Sequence, residues 1–409
     1  MLRDKFYHFI SLSRSIYHFI GEAIYREAFI GEAIYLKIMI ILAYIFCILY
    51  VSLIVFFVVG WQKTPIWKSV DAKKNSNKKS ISVIIPVRNE AENLPKLLFS
   101  LQNQTFGDFE IVFIDDHSSD SSPEILSNFS KNRKNVRIVA AVGFGKKNAL
   151  REGIDASSVT NELLICSDAD CIPNKNWVET IASFYFENQV DMIIAPVVMI
   201  DNKSAFQQMQ ALEFLSLQAA TAAAACAGVP VMCNGANMAF SRETWQMHSA
   251  NLKDEKLSGD DMFLMMSVKR AKGKIAYLKS ADAVVFAFPC RSWADFFNQR
   301  KRWVSKSTRY TDFFVILTAF AVFGISAMVI ASAVWGILHS SWLLFAFVFL
   351  IKLLIDRILL YYYSKFAKFA KSAHLLKWLL PLSLVYPFYV VLTAIFGIFG
   401  KFVWKGRKE

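Results

Sequence analysis

The chain has 409 residues, and 46 Lys and Arg against 33 Asp and Glu leave a formal net charge of +13. Hydrophobic residues make up 55% and charged residues 19%, which excludes a disordered chain, because disorder needs low hydrophobicity and high charge. The same balance, with 36 Phe, is richer than one soluble globule requires and places part of the chain in lipid, within a length suited to roughly two or three domain equivalents.

Residues 1–37 form an N-terminal segment in which Phe19–Tyr25 recurs as Phe29–Tyr35. A ten-residue period advances a helix by about 1000°, about 80° short of whole turns, so the two copies do not share a face. An interfacial helix and a duplication without a role both fit. Residues 38–60 are an uncharged apolar run of 23 residues, and a bilayer core is spanned by ~20 residues of helix. A signal peptide has an apolar region of only ~7–15 residues before a small-residue cleavage site. This run is longer and continues into Gly60-Trp61-Gln62, so it reads as a retained transmembrane anchor. The basic linker 61–80 follows, with six lysines and one acid, and the positive-inside rule assigns that side to the cytoplasm.

Residues 81–290 alternate strand and helix signals. Ile81–Val87, Glu110–Ile114, Asn135–Ala140, Leu163–Cys166 and Val190–Val197 read as strands, with helices over Ala91–Leu101, from Lys146, and before the fifth strand. Continuous apolar strands alternating with helices predict an α/β sheet covered on both faces. Ligands of such sheets bind beyond the carboxyl ends of the strands, so the chemistry belongs in the residues that follow each strand. After the first come Pro86-Val87-Arg88-Asn89-Glu90; after the second, Asp115-Asp116-His117-Ser118-Ser119-Asp120; after the fourth, Ser167-Asp168-Ala169-Asp170. Carboxylates gathered at one edge repel unless a cation sits among them. Asp168 and Asp170 are spaced to share one hard divalent ion, and Mg2+ is held through one or two carboxylates plus substrate phosphates. Lys146, at a helix start after Gly145, adds a cation and amide donors near such phosphates. Singly, these residues are ordinary: Asp, Asn and Ser at strand ends are common caps and turn formers. Asp120 or Ser121 serves equally well as a cap, and His117 as a solvated turn residue. Three acidic clusters at three sheet-edge positions are the sharper signal.

Residues 291–311 carry six basic residues and one acid over 291–309 and read as an interfacial segment, with Arg300, Lys301 and Arg302 open to anionic headgroups and Trp303 to an interfacial anchor. Transmembrane runs follow at 313–338 and 342–363, the latter containing Lys352, Asp356 and Arg357; Lys352 and Asp356 lie four apart and pair on one helix face. A last run, 378–400, contains Pro381 and Pro387 and reads as a transmembrane or re-entrant helix. The loop Ser364–Lys377 holds four lysines and no acid, which also places it in the cytoplasm, whereas the tail 401–409 has four basic residues on what would be the outer side. The six cysteines form no C-x-x-C pair and read as small buried hydrophobes in a reducing compartment.

These residues resemble the membrane-bound family 2 glycosyltransferases of cellulose, hyaluronan and poly-N-acetylglucosamine synthase type. Ser82-Val-Ile-Ile-Pro-Val-Arg-Asn-Glu90 is similar to the family's first strand and P-x-x-N-E turn. Gln104 to Asp116 resembles its second block, Asp168-Ala-Asp170 its D-x-D, and Gln299-Arg-Lys-Arg302-Trp303 its Q-x-x-R-W. Ser258-Gly-Asp260-Asp261 resembles the acidic block that ends in the general base, with Asp260 where the family has Glu. Cys233-Asn-Gly-Ala-Asn237 resembles the G-x-N region. The resemblance implies a GT-A domain (a nucleotide-diphospho-sugar transferase with a Rossmann-like mixed sheet) flanked by transmembrane α-helices. It implies Asp261, Gln299, Arg302 and Trp303 as catalytic; Pro86, Glu90, Asp116 and Asp168 as donor-binding, joined by Lys146 on the helix-start reading above; Asn234, Gly235, Asn237 and Asp260 on the acceptor side; and Asp168 and Asp170 as ligands of Mg2+ or Mn2+.

Glycosyl transfer needs a base for the acceptor hydroxyl and a cation for the departing diphosphate. Asp261 suits the first role, Asp170 with its ion the second. The expectation is a multi-pass protein of a bacterial-type inner membrane with a cytoplasmic catalytic domain. It is an inverting hexosyltransferase that moves a sugar from a nucleotide-sugar, a UDP-sugar for preference, to a lipid, lipid-linked or polysaccharide acceptor, with an export partner or a homo-oligomer as possible company. The positive charge fits membrane lipids; no nucleic-acid module is visible. The alternative is a non-catalytic nucleotide-sugar-binding scaffold of a polysaccharide export complex.

Overall fold

The computed structural model describes residues 2–68, 81–200, 204–251, 259–306, 309–366, 372–399, 403–404 and 407–408, without the side chains of 1–31, 372–374 and 396–409. Most of the basic linker, Ser258, residues 367–371 of the lysine-rich loop and most of the tail lie outside the described residues.

One helix, α1 (Leu2–Lys63), carries both copies of the N-terminal repeat and the first apolar run without a break. Beyond the linker come β1 (Ile81–Val87), α2 (Leu94–Gln102), β2 (Glu110–Asp115), α3 (Ser122–Ser130), β3 (Val136–Ala140), α4 (Lys146–Ala156) and β4 (Leu163–Cys166). These four strands pair in parallel in the order β3-β2-β1-β4. With partners on both edges and helices on its faces, β1 is buried along almost its whole length, which is why it reads as a continuous apolar run. Its ladder with β4 ends at Ile84–Cys166, two residues before Pro86, so the missing N–H of Pro86 interrupts nothing there.

After β4 the chain crosses to a second sheet. β5 (Cys171–Pro173) is followed by α5 (Trp177–Asn188), β6 (Met192–Ile194), β7 (Val197–Met199), α6 (Ala205–Cys226), β8 (Met238–Ser241), α7 (Arg242–His248), α8 (Asp260–Arg270), β9 (Ile275–Tyr277) and β10 (Val285–Ala287). β8, β6 and β9 extend the large sheet, β8 antiparallel to both neighbours, so the sheet is mixed. β5, β10 and β7 form the small one. The single strand expected at Val190–Val197 is therefore two. The chain leaves the large sheet at Ala195-Pro196 and enters the small one at Val197, with Pro196 at the break, where a residue without an N–H removes no ladder bond.

The remaining helices are α9 (Trp293–Ser305), α10 (Phe313–His339), α11 (Leu343–Phe366) and α12 (Leu379–Phe399). Among the described residues, Glu32–Lys63, Phe313–His339 and Leu375–Ile395 are long and apolar enough to cross a membrane. α11 is long enough in residues but carries Lys352, Asp356 and Arg357. Lys352 pairs with Asp356, as the four-residue spacing predicts, and Tyr50 of α1 donates to the same carboxylate.

The first membrane helix is fastened to the sheet domain. The Lys279 ammonium, between β9 and β10, donates to the carbonyls of Trp61 (2.8 Å) and Thr64 (2.9 Å) and lies 3.9 Å from the Trp61 ring centroid. It supplies donors and positive charge where a helix end leaves carbonyls unpaired. Burial lowers the pKa of this ammonium. Trp61 also packs on Tyr277, Tyr363 and Phe366. One residue earlier, Gly60 meets the C-terminal cap of α6: a Cβ there would fall 2.4 Å from the Ala227 Cα, so only glycine lets the two backbones touch. Replacing Lys279 by Met strands two carbonyls and weakens the junction by about 1–3 kcal/mol. A lower thermal midpoint of the detergent-solubilised protein is the expected reading; an unchanged midpoint removes Lys279 as the fastening.

Candidate active site

The cleft lies beyond the carboxyl ends of β1, β2 and β4. Pro86, Val87, Arg88 and Glu90, directly after the β1 core, form part of its lining. Arg88 Nη1 donates to the carbonyls of Asp116 (2.6 Å) and His117 (3.1 Å), tying this turn to the one after β2. Glu90 is buried, and its Oε2 accepts from Asn93 Nδ2 at 2.7 Å. Asp116 is also buried; both its carboxylate oxygens lie 3.2 Å from the Gly145 N–H, which links β2 to the start of α4. Asp120 takes the capping role: its carboxylate accepts the backbone N–H groups of Ala91 and Ser122, each at 3.0 Å, and it does not line the cleft. His117 stacks on Phe144, with centroids 4.2 Å apart.

The Asp168-Ala169-Asp170 turn is short because it bridges the two sheets, from Cys166 at the end of β4 to Cys171 at the start of β5. Both acids line the cleft. Asp168 forms an ion pair with Lys146, the first residue of α4. Burial alone would lower the Lys146 pKa, but Asp168, Asp260 and Asp261 outweigh it and hold the ammonium above the ordinary lysine range. Its neighbour Lys147 points elsewhere, 5.6 Å from the Phe263 ring centroid of α8.

Asp260 and Asp261 open α8, where the helix dipole favours carboxylates. The cap, Gly259, has φ 105°, a conformation in which a side chain is strained. Asp261 Oδ2 accepts the Gly235 N–H at 3.1 Å. Asp260 is fully buried in the cleft wall, and its Oδ2 has no hydrogen-bond partner among the described residues. Burial raises the Asp260 pKa; Lys146 opposes that and Asp261 adds to it. Asn234 and Gly235 line the same wall. A Cβ on Gly235 would stand 3.2 Å from Lys146 Nζ and 3.7 Å from Asp260 Oδ2, so the glycine leaves space that the charged cluster uses.

Asn237 corrects the expectation of an acceptor-side role. It is fully buried and does not line the cleft. Its Nδ2 donates to the carbonyls of Pro196 and Ala283, both at 2.8 Å, and its Oδ1 accepts from Trp177 Nε1 at 2.9 Å. Every polar group of the amide is engaged at the break where the chain changes sheets, which makes Asn237 a structural pin.

The fourth wall is α9. Gln299, Arg302, Trp303 and Lys306 follow helical spacing and share the cleft-facing side. Burial lowers the pKa of both Arg302 and Lys306, an effect partly offset by the facing acids, Asp168 first for Arg302 and Asp261 first for Lys306. Arg300 corrects a second expectation. It lies not on headgroups but at 1% exposure, paired with Glu213 of α6, within 4.2 Å of the Trp303 ring centroid and 4.4 Å of that of Phe296. Trp303 faces the cleft rather than serving only as an interfacial anchor. Lys306 was legible in principle, four residues after Arg302 on the same face. Phe214 of α6, Met199 of β7 and Phe288 after β10 also line the cleft, and nothing local to their sequence marks them.

Among the described residues, no three or more His, Cys, Asp or Glu side chains gather as an all-protein metal cage. Asp168 and Asp170 on one turn fit the other mode, an ion held by one or two carboxylates and completed by substrate oxygens. Lys146 pairs with one oxygen of Asp168, and the Cys171 thiol lies 3.7 Å from Asp170 Oδ1, so both carboxylates have a neighbour already.

A mixed sheet with acids at its carboxyl edge, a smaller sheet closing one side and flanking membrane-length helices define a GT-A domain. Residues 82–245 match the model of glycosyl transferase family 2, and the chain carries a domain of that family. Glycosyltransferase AglE of Haloferax volcanii is 35% identical over 116 residues, 28% of this chain and 38% of that protein. Poly-beta-1,6-N-acetyl-D-glucosamine synthase of Staphylococcus epidermidis is 35% identical over 105 residues, 26% of this chain and 24% of that one. The chain thus spans well under half the length of these curated relatives. Among solved structures, the mannosyltransferase PcManGT from Pyrobaculum calidifontis, in complex with GDP-Man and Mn2+, superposes with a TM-score of 0.57 over 88% of this chain and 99% of its own. At 16% identity, that likeness speaks to fold.

Proposed function

We propose that this protein is an inverting, metal-dependent glycosyltransferase that transfers a sugar from a nucleotide-sugar, a UDP-sugar, to a lipid or lipid-linked acceptor at the cytoplasmic face of a membrane. One observation carries the reading: Asp116, Asp170, Asp261 and Trp303, which come from four separate stretches of sequence, line a single cleft. The structural neighbour in complex with GDP-Man and Mn2+ supports a nucleotide-sugar donor and a divalent ion.

Pro86, Glu90 and Asp116 take the nucleoside end. Lys146 and Arg302 face the diphosphate, where Arg302 presents a fork suited to phosphate. A divalent ion on Asp168 and Asp170 would neutralise the charge that develops on the leaving nucleotide. Asp261 accepts the proton of the acceptor hydroxyl, and its orientation is set by the Gly235 N–H. Trp303 offers a ring face to a sugar. Attack from the Asp261 side displaces the nucleotide directly and inverts the anomeric centre. With both halves of this apparatus in one cleft, the non-catalytic scaffold has nothing in its favour. The domain at 81–290 would sit on the cytoplasmic side, with membrane helices on both flanks and the α9 segment at the interface.

The test is a panel of labelled nucleotide-sugars incubated with membranes containing the protein and Mg2+. Label from one UDP-sugar is expected in the lipid extract, and label recovered only in free sugar or unspent donor sinks the reading. Asp170→Ala should abolish the metal-dependent part of UDP binding, measured by calorimetry with and without EDTA.

A further inference from the structure

Two charged side chains of the cleft wall present polar atoms that have no partner among the described residues. Lys306, at 8% exposure, and Asp260, at 3%, are each more than nine-tenths buried, and both line the cleft. No hydrogen bond or ion pair reaches the Lys306 ammonium among the described residues, and Asp260 Oδ2 is unpartnered there likewise. Buried polar groups are bonded as a rule, because leaving one unbonded is costly. A donor and an acceptor stranded on one wall point to a ligand that supplies the complement of each.

Both groups stand on the Asp261 side of the cleft. Asp260 precedes Asp261 at the start of α8. Lys306 caps the C-terminus of α9, and its stem runs along the α8 cap: a Cβ on Gly259 would lie 3.1 Å from Lys306 Cδ. Asp261 is the acid that acts most strongly on Lys306, whereas for Arg302 it is Asp168. Lys306 therefore belongs to the base side and Arg302 to the side of the Asp168-Ala169-Asp170 turn. A phosphate suits this wall poorly, because two acids stand beside one ammonium and like charges repel. An ionised phosphate oxygen also has no proton for Asp261 to take. Hydroxyls suit the wall well, since each both donates and accepts; Lys306 offers donors only, and Asp260 bonds a hydroxyl in either protonation state.

We propose that Lys306 and Asp260 set acceptor specificity by bonding hydroxyls next to the one whose proton goes to Asp261, so that the acceptor ends in a sugar rather than in a phosphate. The reacting hydroxyl gives its proton to Asp261 while its oxygen bonds the anomeric carbon of the donor. The bond from that carbon to the diphosphate oxygen breaks, and its electron pair leaves with the nucleotide. A lipid acceptor then carries a sugar already, so a reaction that attaches a first sugar to the carrier precedes this one. The inference deepens the functional reading above and rests on it for Asp261 as base.

The test uses the full-length protein in phosphatidylcholine nanodiscs with the donor selected from the labelled panel. The acceptor probes are decyl hexosides, their monodeoxy analogues and a long-chain prenyl phosphate. Label is expected on a decyl hexoside and not on prenyl phosphate. Analogues lacking a hydroxyl next to the site of transfer should have KM raised at least about ten-fold, because a buried polar group built for a hydroxyl rejects a ligand without it. Lys306→Met and Asp260→Asn, which keep side-chain shape, should each raise KM for the full hexoside by a similar factor and erase the penalty of one deoxy analogue. Neither should change kcat, or Kd for UDP by calorimetry, more than roughly two-fold. Deoxy penalties that persist in both variants overturn the proposal, as does equal transfer to prenyl phosphate. A ten-fold loss of UDP binding in Lys306→Met assigns that lysine to the donor and overturns it too. Calorimetry of the hexoside with UDP bound separates this inference from the functional reading. Hexoside binding that both variants weaken, with no transfer in the wild type, supports the subsite and fails the transferase; no hexoside binding overturns the subsite.

Discussion

Replacing Asp261 by Asn lowers the rate of sugar transfer about 10²–10⁴-fold, the usual contribution of a positioned general base, and leaves UDP binding intact. The amide has nearly the same shape, and its oxygen still accepts the Gly235 N–H that the carboxylate accepts at 3.1 Å, so the α8 N-terminus keeps its form. What disappears is the capacity to take a proton. Single-turnover transfer with the donor selected from the labelled panel, paired with UDP calorimetry, gives both numbers. A variant that transfers sugar at the wild-type rate removes Asp261 as base. Asp260 is the adjacent candidate, and the same measurements on Asp260→Asn separate the two.

Glu213→Ala is the most damaging substitution expected for stability. It leaves the Arg300 guanidinium at 1% exposure without its carboxylate, and breaking a buried pair from one side costs about 3–5 kcal/mol. Arg300 also lies against the rings of Trp303 and Phe296 and donates to Gln299, so the lost pair releases two residues of the cleft wall as well. Replacing both partners at once, Glu213→Leu with Arg300→Met, removes the stranded charge; comparable double replacements elsewhere are near neutral. The thermal midpoint should therefore fall steeply in the single variant and recover in the double one, while transfer stays depressed in both because Trp303 has lost its support. Recovery of transfer in the double variant would show that the pair does not position Trp303.

The sequence made some of this architecture readable and hid the rest, for physical reasons. β1, β2 and β4 are buried on both faces and end abruptly in polar turns, so Glu90, Asp116, Asp168 and Asp170 announce themselves as sheet-edge residues. Gly145-Lys146 marks a helix start just as locally. Asn237 and Arg300 were misjudged because their roles depend on partners far along the chain: Pro196, Ala283 and Trp177 for one, Glu213 for the other. The resemblance to the G-x-N region groups Asn237 with the cleft residues, and local composition sees in Arg300 only a basic residue among basic residues. The split of the expected fifth strand was hidden likewise, since Ile194 and Val197 read as one apolar run until the small sheet supplies a second place to pair.

The fastening of α1 to the sheet domain has a mechanical consequence. With the helix end held through Lys279, a Trp67 N–H bonded to the Lys279 carbonyl at 2.8 Å, and Gly60 in backbone contact with Ala227, there is no swivel between anchor and domain at this joint. In a thinner or thicker bilayer the helix must tilt, and the domain tilts with it as one lever. The height of the reaction centre above the lipid surface is therefore set by anchor geometry.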